Sequence, residues 1–463
     1  MTAVANRQAD LRRQPPPAHR AGPAEPAGAN PGAVLGVIAA GALATIALWW
    51  HDTAAIHGFG DWLTNAGRVT GLLAGYGVVV LVALMARLPP LERGVGADRL
   101  ARWHSHGGRY TVSLVVAHGL LITWGYAVTA HTDVISQTNT LLMSYPDLLM
   151  ATVAGLLFVA VGIVSARAAR RRMRYETWYY LHFYTYLAIA LAFSHQLASG
   201  ADFMTNRSAR VVWSAMYLAV AAAILWYRFV LPVLQASRHR MRVAAVYPEA
   251  PGVVSIVVSG RHLDRLHASS GQFFRWRFLT RELWWASNPY SLSAAPQPNA
   301  LRITVKDLGE HSAALMQLRT GTRVLAEGPY GAMTAARRTR RKVLLIAGGI
   351  GITPVRALFE SLSGGPHDIT LLYRVRREAD VVFRDELAAL SRQRGARLLI
   401  VAGRRQDLGW DPLSTEAITS TVPDVRAHDV YICGPDRMTA SVVRSLRAAH
   451  VPRRRLHHES FAF

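Results

Sequence analysis

Six apolar runs, near residues 33–50, 69–88, 110–129, 148–164, 178–193 and 211–231, constrain this chain more than any other feature. Each approaches the roughly 20 residues that a helix needs to cross a bilayer. The arginines between them give a direction. Arg87, Arg93, Arg99, Arg102 and Arg109 lie between runs two and three, and Arg167, Arg170, Arg171, Arg172 and Arg174 between four and five. Arg238, Arg240 and Arg242 follow the sixth, while the opposite connections hold Arg68, Arg207 and Arg210. Positive charge concentrates on the cytoplasmic side, so the expected topology is six spans of the cell membrane with both termini cytoplasmic. Residues 1–31, rich in Pro, Ala, Gly and Arg without an apolar period, read as a disordered tail rather than a cleaved signal peptide.

Two of the runs carry ionisable side chains where these are expensive. His104 and His118 are fourteen residues apart, about 21 Å along a helix and within ~40° of one face. His182 and His195 are thirteen apart, which turns one about 140° from the other. A π-bulge, or approach from different sides, is expected there. One such histidine is equally well explained by a structural hydrogen bond. Four, paired at matched depths on two spans, point to axial ligation of two haems, each six-coordinate. By depth, His104 pairs with His182 near the cytoplasm and His118 with His195 near the outside. His106 points elsewhere and reads as structural. Cys433 is the only cysteine, which excludes covalent Cys-x-x-Cys-His attachment, so the haems are of b type.

The net charge of +23 does not indicate a nucleic-acid surface. Only Lys306 and Lys342 are lysines, the rest of the excess is arginine, and no recognition motif accompanies it. From about residue 241 the character changes to short alternating runs rich in Val and Phe, a β signature over 242–258 and 272–279. From 341 onward, strands at 342–347, 369–373, 397–401 and 430–433 alternate with helical stretches, as in a parallel α/β sheet. The expected order is an all-α six-helix transmembrane bundle over 32–235, an antiparallel β-barrel over 236–336 and an α/β nucleotide-binding domain over 337–463.

Four motifs in the second half suit a flavin and a nucleotide, each with a plainer alternative. In Asn288-Pro289-Tyr290-Ser291-Leu292-Ser293, Tyr290 suits stacking on a flavin ring and Ser291 its reactive nitrogen, though a β-turn with a buried tyrosine looks the same. Lys306, Gly309 and Ser312 mark a helix start whose free N–H groups suit a pyrophosphate, although such caps are common. Gly348, Gly349, Gly351, Thr353 and Pro354 form a strand–loop–helix turn that permits close phosphate approach, with Pro354 in the first helical turn. Cys433, Gly434 and Pro435 end another strand of the same domain, where ligands bind, unless Cys433 is an ordinary buried thiol. Arg374, Arg376 and Arg377 suit a 2′-phosphate or a plain arginine-rich surface. The chain closes on an aromatic, Phe463.

Together these residues resemble the ferric reductase and NADPH oxidase superfamily, a six-helix two-haem membrane domain fused to a ferredoxin–NADP reductase-like module. The resemblance covers about 33–463 and implies FAD, NADPH or NADH, and two haems held by His104, His118, His182 and His195. It implies flavin contacts at Tyr290, Ser291, Gly309 and Ser312, a pyridine-nucleotide loop at 348–354, and the nicotinamide beside Cys433, Gly434 and Pro435. It also implies that Phe463 covers the flavin. Two positions depart from the pattern. Asn288 stands where soluble relatives carry Arg, leaving Arg275 or Arg277 to supply the charge. Arg68 matches an arginine that frames the oxygen site of NADPH oxidases, but Ile122 stands where their histidine would. The expected function is electron transfer from NAD(P)H through FAD and the haems to an extracytoplasmic acceptor, ferric iron or a similar small one ahead of oxygen, with a partner protein as a further acceptor. The alternative from another class is a non-enzymatic haem membrane protein.

Overall fold

The computed structural model describes residues 28–53, 55–166, 173 and 175–459. Most of the expected tail, and Phe463, lie outside the described residues. The helical half opens with α1 (Pro31–Asp52), whose first turn is capped by the Asn30 side chain accepting from Gly32 N. It continues with α2 (Phe59–Leu84), α3 (Ala97–Thr129), α4 (Pro146–Ser165) and α5 (Tyr175–Ser199). Proline at the first position of α1 and α4 removes an N–H that would have no partner there. α6 (Arg207–His239) contains a π turn at Leu225–Val230 and ends on Arg240 in the left-handed region.

Among the described residues, five helices are long and apolar enough to cross a membrane: α1, α2, α3, α4 and α6. The remaining expected span, the fifth in chain order and here α5, has the length but dilutes its apolar face with tyrosines and its two histidines. It packs along α4, as α2 packs along α3. The expected π-bulge is also absent from α5, which is α-helical throughout.

The second half begins at β1 (Arg242–Ala250), followed by β2 (Val253–Ser259), β3 (Phe273–Phe278), β4 (Asn288–Ser291), β5 (Ala300–Lys306) and β6 (Val324–Tyr330). These do not make one continuous barrel. They form two three-stranded antiparallel sheets, β1-β2-β5 and β4-β3-β6, which touch at isolated bridges Arg242–Arg323 and Leu292–Ile303. Alternating inward residues such as Phe274, Trp276 and Phe278 fill the space between them. The last domain is a parallel sheet in the order β11-β10-β7-β8-β9, made of β7 (Val343–Gly348), β8 (Ile369–Val375), β9 (Arg397–Ala402), β10 (Asp429–Cys433) and β11 (Leu456–Glu459). Helices α7 (Ile352–Ser361), α8 (Arg384–Arg394) and α9 (Asp436–Ala448) connect them. β7 is buried at every position, as a central parallel strand should be.

The reductase half sits on one end of the helical half. Arg337 donates to the carbonyls of Arg93 and Gly94, Gln235 to the Gly328 carbonyl at 3.4 Å, and the Arg87 guanidinium lies 4.7 Å above the Tyr330 ring. That is the end of α3 nearest His104.

Candidate functional site

The helix pairs bring the four expected histidines into two facing couples. The ring centroids of His104 and His182 are 6.0 Å apart, and those of His118 and His195 are 6.4 Å apart. A ligating imidazole nitrogen sits about 2 Å from its metal, with the ring centre roughly 1 Å further back, so two rings sharing one metal stand about 6 Å apart. Both couples have that spacing. Among the described residues no group of three or more His, Cys, Asp or Glu is placed to hold a metal. Two axial ligands to a metal macrocycle fit this donor set, and a bare ion does not.

The remaining ring nitrogens are engaged. His104 Nδ1 donates to the Leu81 carbonyl at 3.0 Å and His118 Nδ1 to the Gly67 carbonyl at 2.8 Å. A carbonyl only accepts, so both rings carry their proton on Nδ1 and leave Nε2 in the form a metal requires. His195 Nδ1 lies 2.9 Å from Ser199 Oγ, whose own proton goes to the His195 carbonyl. His182 Nδ1 lies 3.4 Å from Ser165 Oγ, and Trp178 stacks on the ring while donating to the same hydroxyl at 3.2 Å. Ser165, Trp178 and Ser199 were not singled out from the sequence, since nothing local marks a serine or tryptophan as holding a histidine. His106 stands apart, with Nδ1 2.7 Å from the Arg102 carbonyl one turn back. Glycine admits the far couple: a Cβ on Gly71 would stand 2.6 Å from His118 Nδ1, and one on Gly67 2.8 Å from Ile122 Cγ1.

Arg68 does not stand free beside that couple. It pairs with Asp202 at 2.6 Å, and Asp202 is only 4% exposed.

In the two-sheet domain, β3 and β4 pair so that Phe273 faces Ser291 and Phe274 faces Tyr290. Trp276 Nε1 donates to the Tyr290 carbonyl at 3.0 Å, which fixes the strand against the core. Burial pushes the Tyr290 phenol up to about 12. The Ser291 hydroxyl is buried with no hydrogen-bond partner. Such orphans are rare in native structures and ask for an absent partner, which a flavin nitrogen fits. Arg275 donates to the Ser287 carbonyl at 2.9 Å beside Asn288, so it, rather than Arg277, is held at this strand edge.

A cavity of about 1070 Å³ gathers Lys306, Gly348, Gly349, Gly351, Arg374, Gly434 and Pro435. A Cβ on Gly351 would stand 2.3 Å from the Cys433 carbonyl, so the two nucleotide motifs meet only because that position is glycine. Cys433 itself is fully buried. Thr353 and Pro354 lie buried in the first turn of α7, Thr353 donating to the Ile350 carbonyl at 3.1 Å; they shape the loop rather than line the cavity. Gly309 and Ser312 are outside it, and the Ser312 hydroxyl is spent on its own turn, accepting from Leu308 N at 2.7 Å and donating to the Gly309 carbonyl at 2.8 Å. Of the three expected arginines, Arg376 lines the cavity, Arg374 also does but is pinned to the Val401 carbonyl at 3.1 Å, and Arg377 is not among the lining residues but pairs at 2.8 Å with Asp380, which is. Arg404, Arg437 and Arg444 line it as well and were missed, because an arginine carries little signal in a chain with so many.

Three family models match this chain. Residues 70–193 match the ferric reductase like transmembrane component, 238–334 an FAD-binding domain and 345–444 an oxidoreductase NAD-binding domain. The chain has the ferric reductase/NADPH oxidase-type architecture. It is a membrane oxidoreductase in which a ferric-reductase-like domain is fused to FAD- and NAD-binding domains. Its reductase half is similar to ferredoxin–NADP reductase B of Sorangium cellulosum (strain So ce56), 28% identical over 50% of this chain and 100% of that protein. It is also similar to the stachydrine N-demethylase reductase subunit of Rhizobium meliloti (strain 1021), 30% identical over 46% of this chain and 64% of that one. A flavohemoprotein of Xylella fastidiosa (strain Temecula1 / ATCC 700964) is 26% identical over 51% of this chain and 59% of its own length. The chain thus spans under two thirds of the last two. Among solved structures, the ferredoxin reductase in carbazole 1,9a-dioxygenase superposes with a TM-score of 0.41 at 20% identity, over 48% of this chain and 69% of that one, too loosely to bear on function.

Proposed function

We propose that this ferric-reductase-type chain passes electrons from NAD(P)H to an acceptor on the far side of the cell membrane, ferric iron or a similar small acceptor. The observation that carries the reading is the stacking of the two histidine couples along α3 and α5, with the His104–His182 couple at the end where the reductase half docks. In this reading α5 also crosses despite its tyrosines, giving six spans, both termini are cytoplasmic, and the domains divide near 32–235, 236–336 and 337–463. When bound, FAD would take a hydride from NAD(P)H and two b-type haems would carry single electrons across the bilayer.

The protein's own part is positional. The Leu81 and Gly67 carbonyls hold His104 and His118 in one tautomer, and the Ser199 and Ser165 hydroxyls orient His195 and His182. The Ser291 hydroxyl offers a hydrogen bond inside a site closed to water, and Tyr290 offers a ring face beside it. The 348–351 loop and Gly434 let backbone N–H groups approach a pyrophosphate, with Lys306 and Arg376 supplying charge. Arg376, Arg404 and Arg444 favour NADPH over NADH, because a 2′-phosphate adds the charge that these guanidiniums meet.

Difference spectra of the purified protein test the reading. Dithionite should give a b-type spectrum, and NADPH with FAD should give the same one under anaerobic conditions. Reduction by dithionite but not by NADPH would leave only the non-enzymatic haem protein.

A further inference from the structure

Three of the four histidines are held from a neighbouring helix. His104 and His118 donate to carbonyls of α2, and His182 meets Ser165 at the end of α4. His195 is not held in this way. Its Nδ1 lies 2.9 Å from Ser199 Oγ on its own helix, and that serine spends its proton on the His195 carbonyl. Among the described residues, the direction of the His195 ring therefore depends on how α5 is turned about its axis at that depth.

On a regular helix it is residue 196, not 195, that returns to within ~40° of the His182 face. The structure gives that face to α2 and α6. Gln196 Oε1 accepts from Trp213 Nε1 at 2.6 Å, and Gln196 Nε2 donates to Tyr217 Oη at 3.4 Å. Tyr217 in turn donates to the Gly75 carbonyl of α2 at 3.0 Å. An indole N–H only donates, so a single orientation of the amide serves both contacts. Trp213 is buried, and a Cβ on Gly75 would stand 2.9 Å from its Cζ2 and 3.1 Å from Gln196 Oε1. The three helices meet here because that position is glycine. A polar side chain at membrane depth is costly unless partnered, and usually has a function.

We infer that Gln196 is a positioning residue for the far couple: through Trp213, Tyr217 and Gly75 it clamps the rotation of α5 and so keeps the His195 ring 6.4 Å from that of His118. This rests on the two-haem reading given above. Gln196 projects about 100° round the helix from His195, so it acts by fixing the helix that both share. The near couple does not need this clamp, because Ser165 reaches the His182 ring from α4.

The test uses the full chain in nanodiscs, with haem content measured first. With both centres six-coordinate, the reduced wild type offers carbon monoxide no open position. Gln196→Leu removes the clamp, and carbon monoxide should then bind at about one haem of the two. In electron paramagnetic resonance of the ferric protein, the low-spin signal of one centre should broaden while the other keeps its shape. Tyr217→Phe keeps its ring against Phe193, 4.7 Å away, and removes the link to Gly75. It should open the same centre in a smaller fraction of molecules, and it decides the question if Gln196→Leu does not retain haem. Carbon monoxide binding at neither haem would overturn the positioning role, since packing alone would then hold α5. Equal binding at both would also overturn it, because the bundle would have loosened as a whole. Either result leaves the two-haem reading intact. Absence of haem from the wild type overturns that reading together with this one, and is recognised before any variant is compared.

Discussion

A methyl group on Gly71 is the smallest change that probes the far histidine couple. Its Cβ would stand 2.6 Å from the His118 ring, against a ring already fixed by the Gly67 carbonyl. Overpacking of this kind costs about 1–3 kcal/mol. Gly71→Ala should therefore lower occupancy of one haem while the His104–His182 couple keeps its own, and pyridine-haemochrome stoichiometry falling from two towards one would be the signature. Two haems retained with unchanged spectra would contradict it. At Ser291 the orphaned hydroxyl predicts that Ser291→Ala keeps FAD bound but slows flavin reduction by NADPH about tenfold, the worth of one hydrogen bond of roughly 1.4 kcal/mol. Stopped-flow bleaching of the flavin reads this directly, and an unchanged rate removes the residue from the chemistry. The histidines were legible in the sequence because polar side chains inside apolar runs need a reason. Asp202 was not, because its partner is 134 residues away and only the packing of α2 against the end of α5 brings them together.

Between elements, the contact that matters most is that of the α2–α3 connection with β6. Arg87 is 3.4 Å from the buried Glu92, and the Arg87 guanidinium, itself 14% exposed, lies over Tyr330, whose hydroxyl donates to Glu327 at 2.6 Å. Burial pushes the Glu92 carboxyl up, and Arg87 opposes that shift. Phe273 lies between the two sites, cross-strand from both Ser291 and Tyr330, so the expected flavin position and the end of α2 are joined through two aromatic side chains. Removing one partner of a buried pair leaves the other uncompensated, at about 3–5 kcal/mol. Arg87→Ala should spare NADPH-driven reduction of ferricyanide, which can be served by the flavin alone, while slowing NADPH-driven haem reduction at least tenfold. Equal losses in both assays would show a folding defect instead of a docking defect. Elements of this kind were only half legible. Length and apolar content announced the helices, and alternation announced the strands, but the split into two three-stranded sheets depends on where ladders break, which no local pattern states. The rotation of about 140° between His182 and His195 suggested a bulge. The helix instead stays regular, and the two rings reach α3 while held by different partners, Ser165 with Trp178 for one and Ser199 for the other.

At the scale of the whole molecule, the two reductase domains are held to one another by a half-buried charge cluster rather than by apolar surface alone. Arg302 of β5 donates to Glu386 of α8 at 3.0 and 3.2 Å and to the Ser293 carbonyl at 2.7 Å. Arg356 of α7 meets the same carboxylate at 2.5 Å and also pairs with Glu360, which accepts from Ala295 N at 2.6 Å. Burial alone would raise the Glu386 carboxyl, but Arg356 and Arg302 outweigh it and hold it below the usual range. A carboxyl depressed in the fold contributes stability that is fully present above its unfolded value, about 4.3. That contribution is lost as the pH falls through the lower folded value. The two domains should therefore stay locked from neutrality down to about pH 4 and separate below it, with the cavity at 348–351 and 434–435 opening and NADPH affinity falling before the helical half unfolds. Glu386→Gln removes the titrating charge and leaves two guanidiniums facing each other. It should destabilise the pair of domains at neutral pH by about 2–3 kcal/mol, less than a fully buried pair would lose because the glutamate side chain is 33% exposed. It should also flatten the acid transition. NADPH titrations and flavin fluorescence across pH 3–8 measure both effects, and an acid midpoint identical in the wild type and Glu386→Gln would assign the transition to other groups, of which the buried His428 and the half-buried His457, both held below the ordinary imidazole range by desolvation, are next.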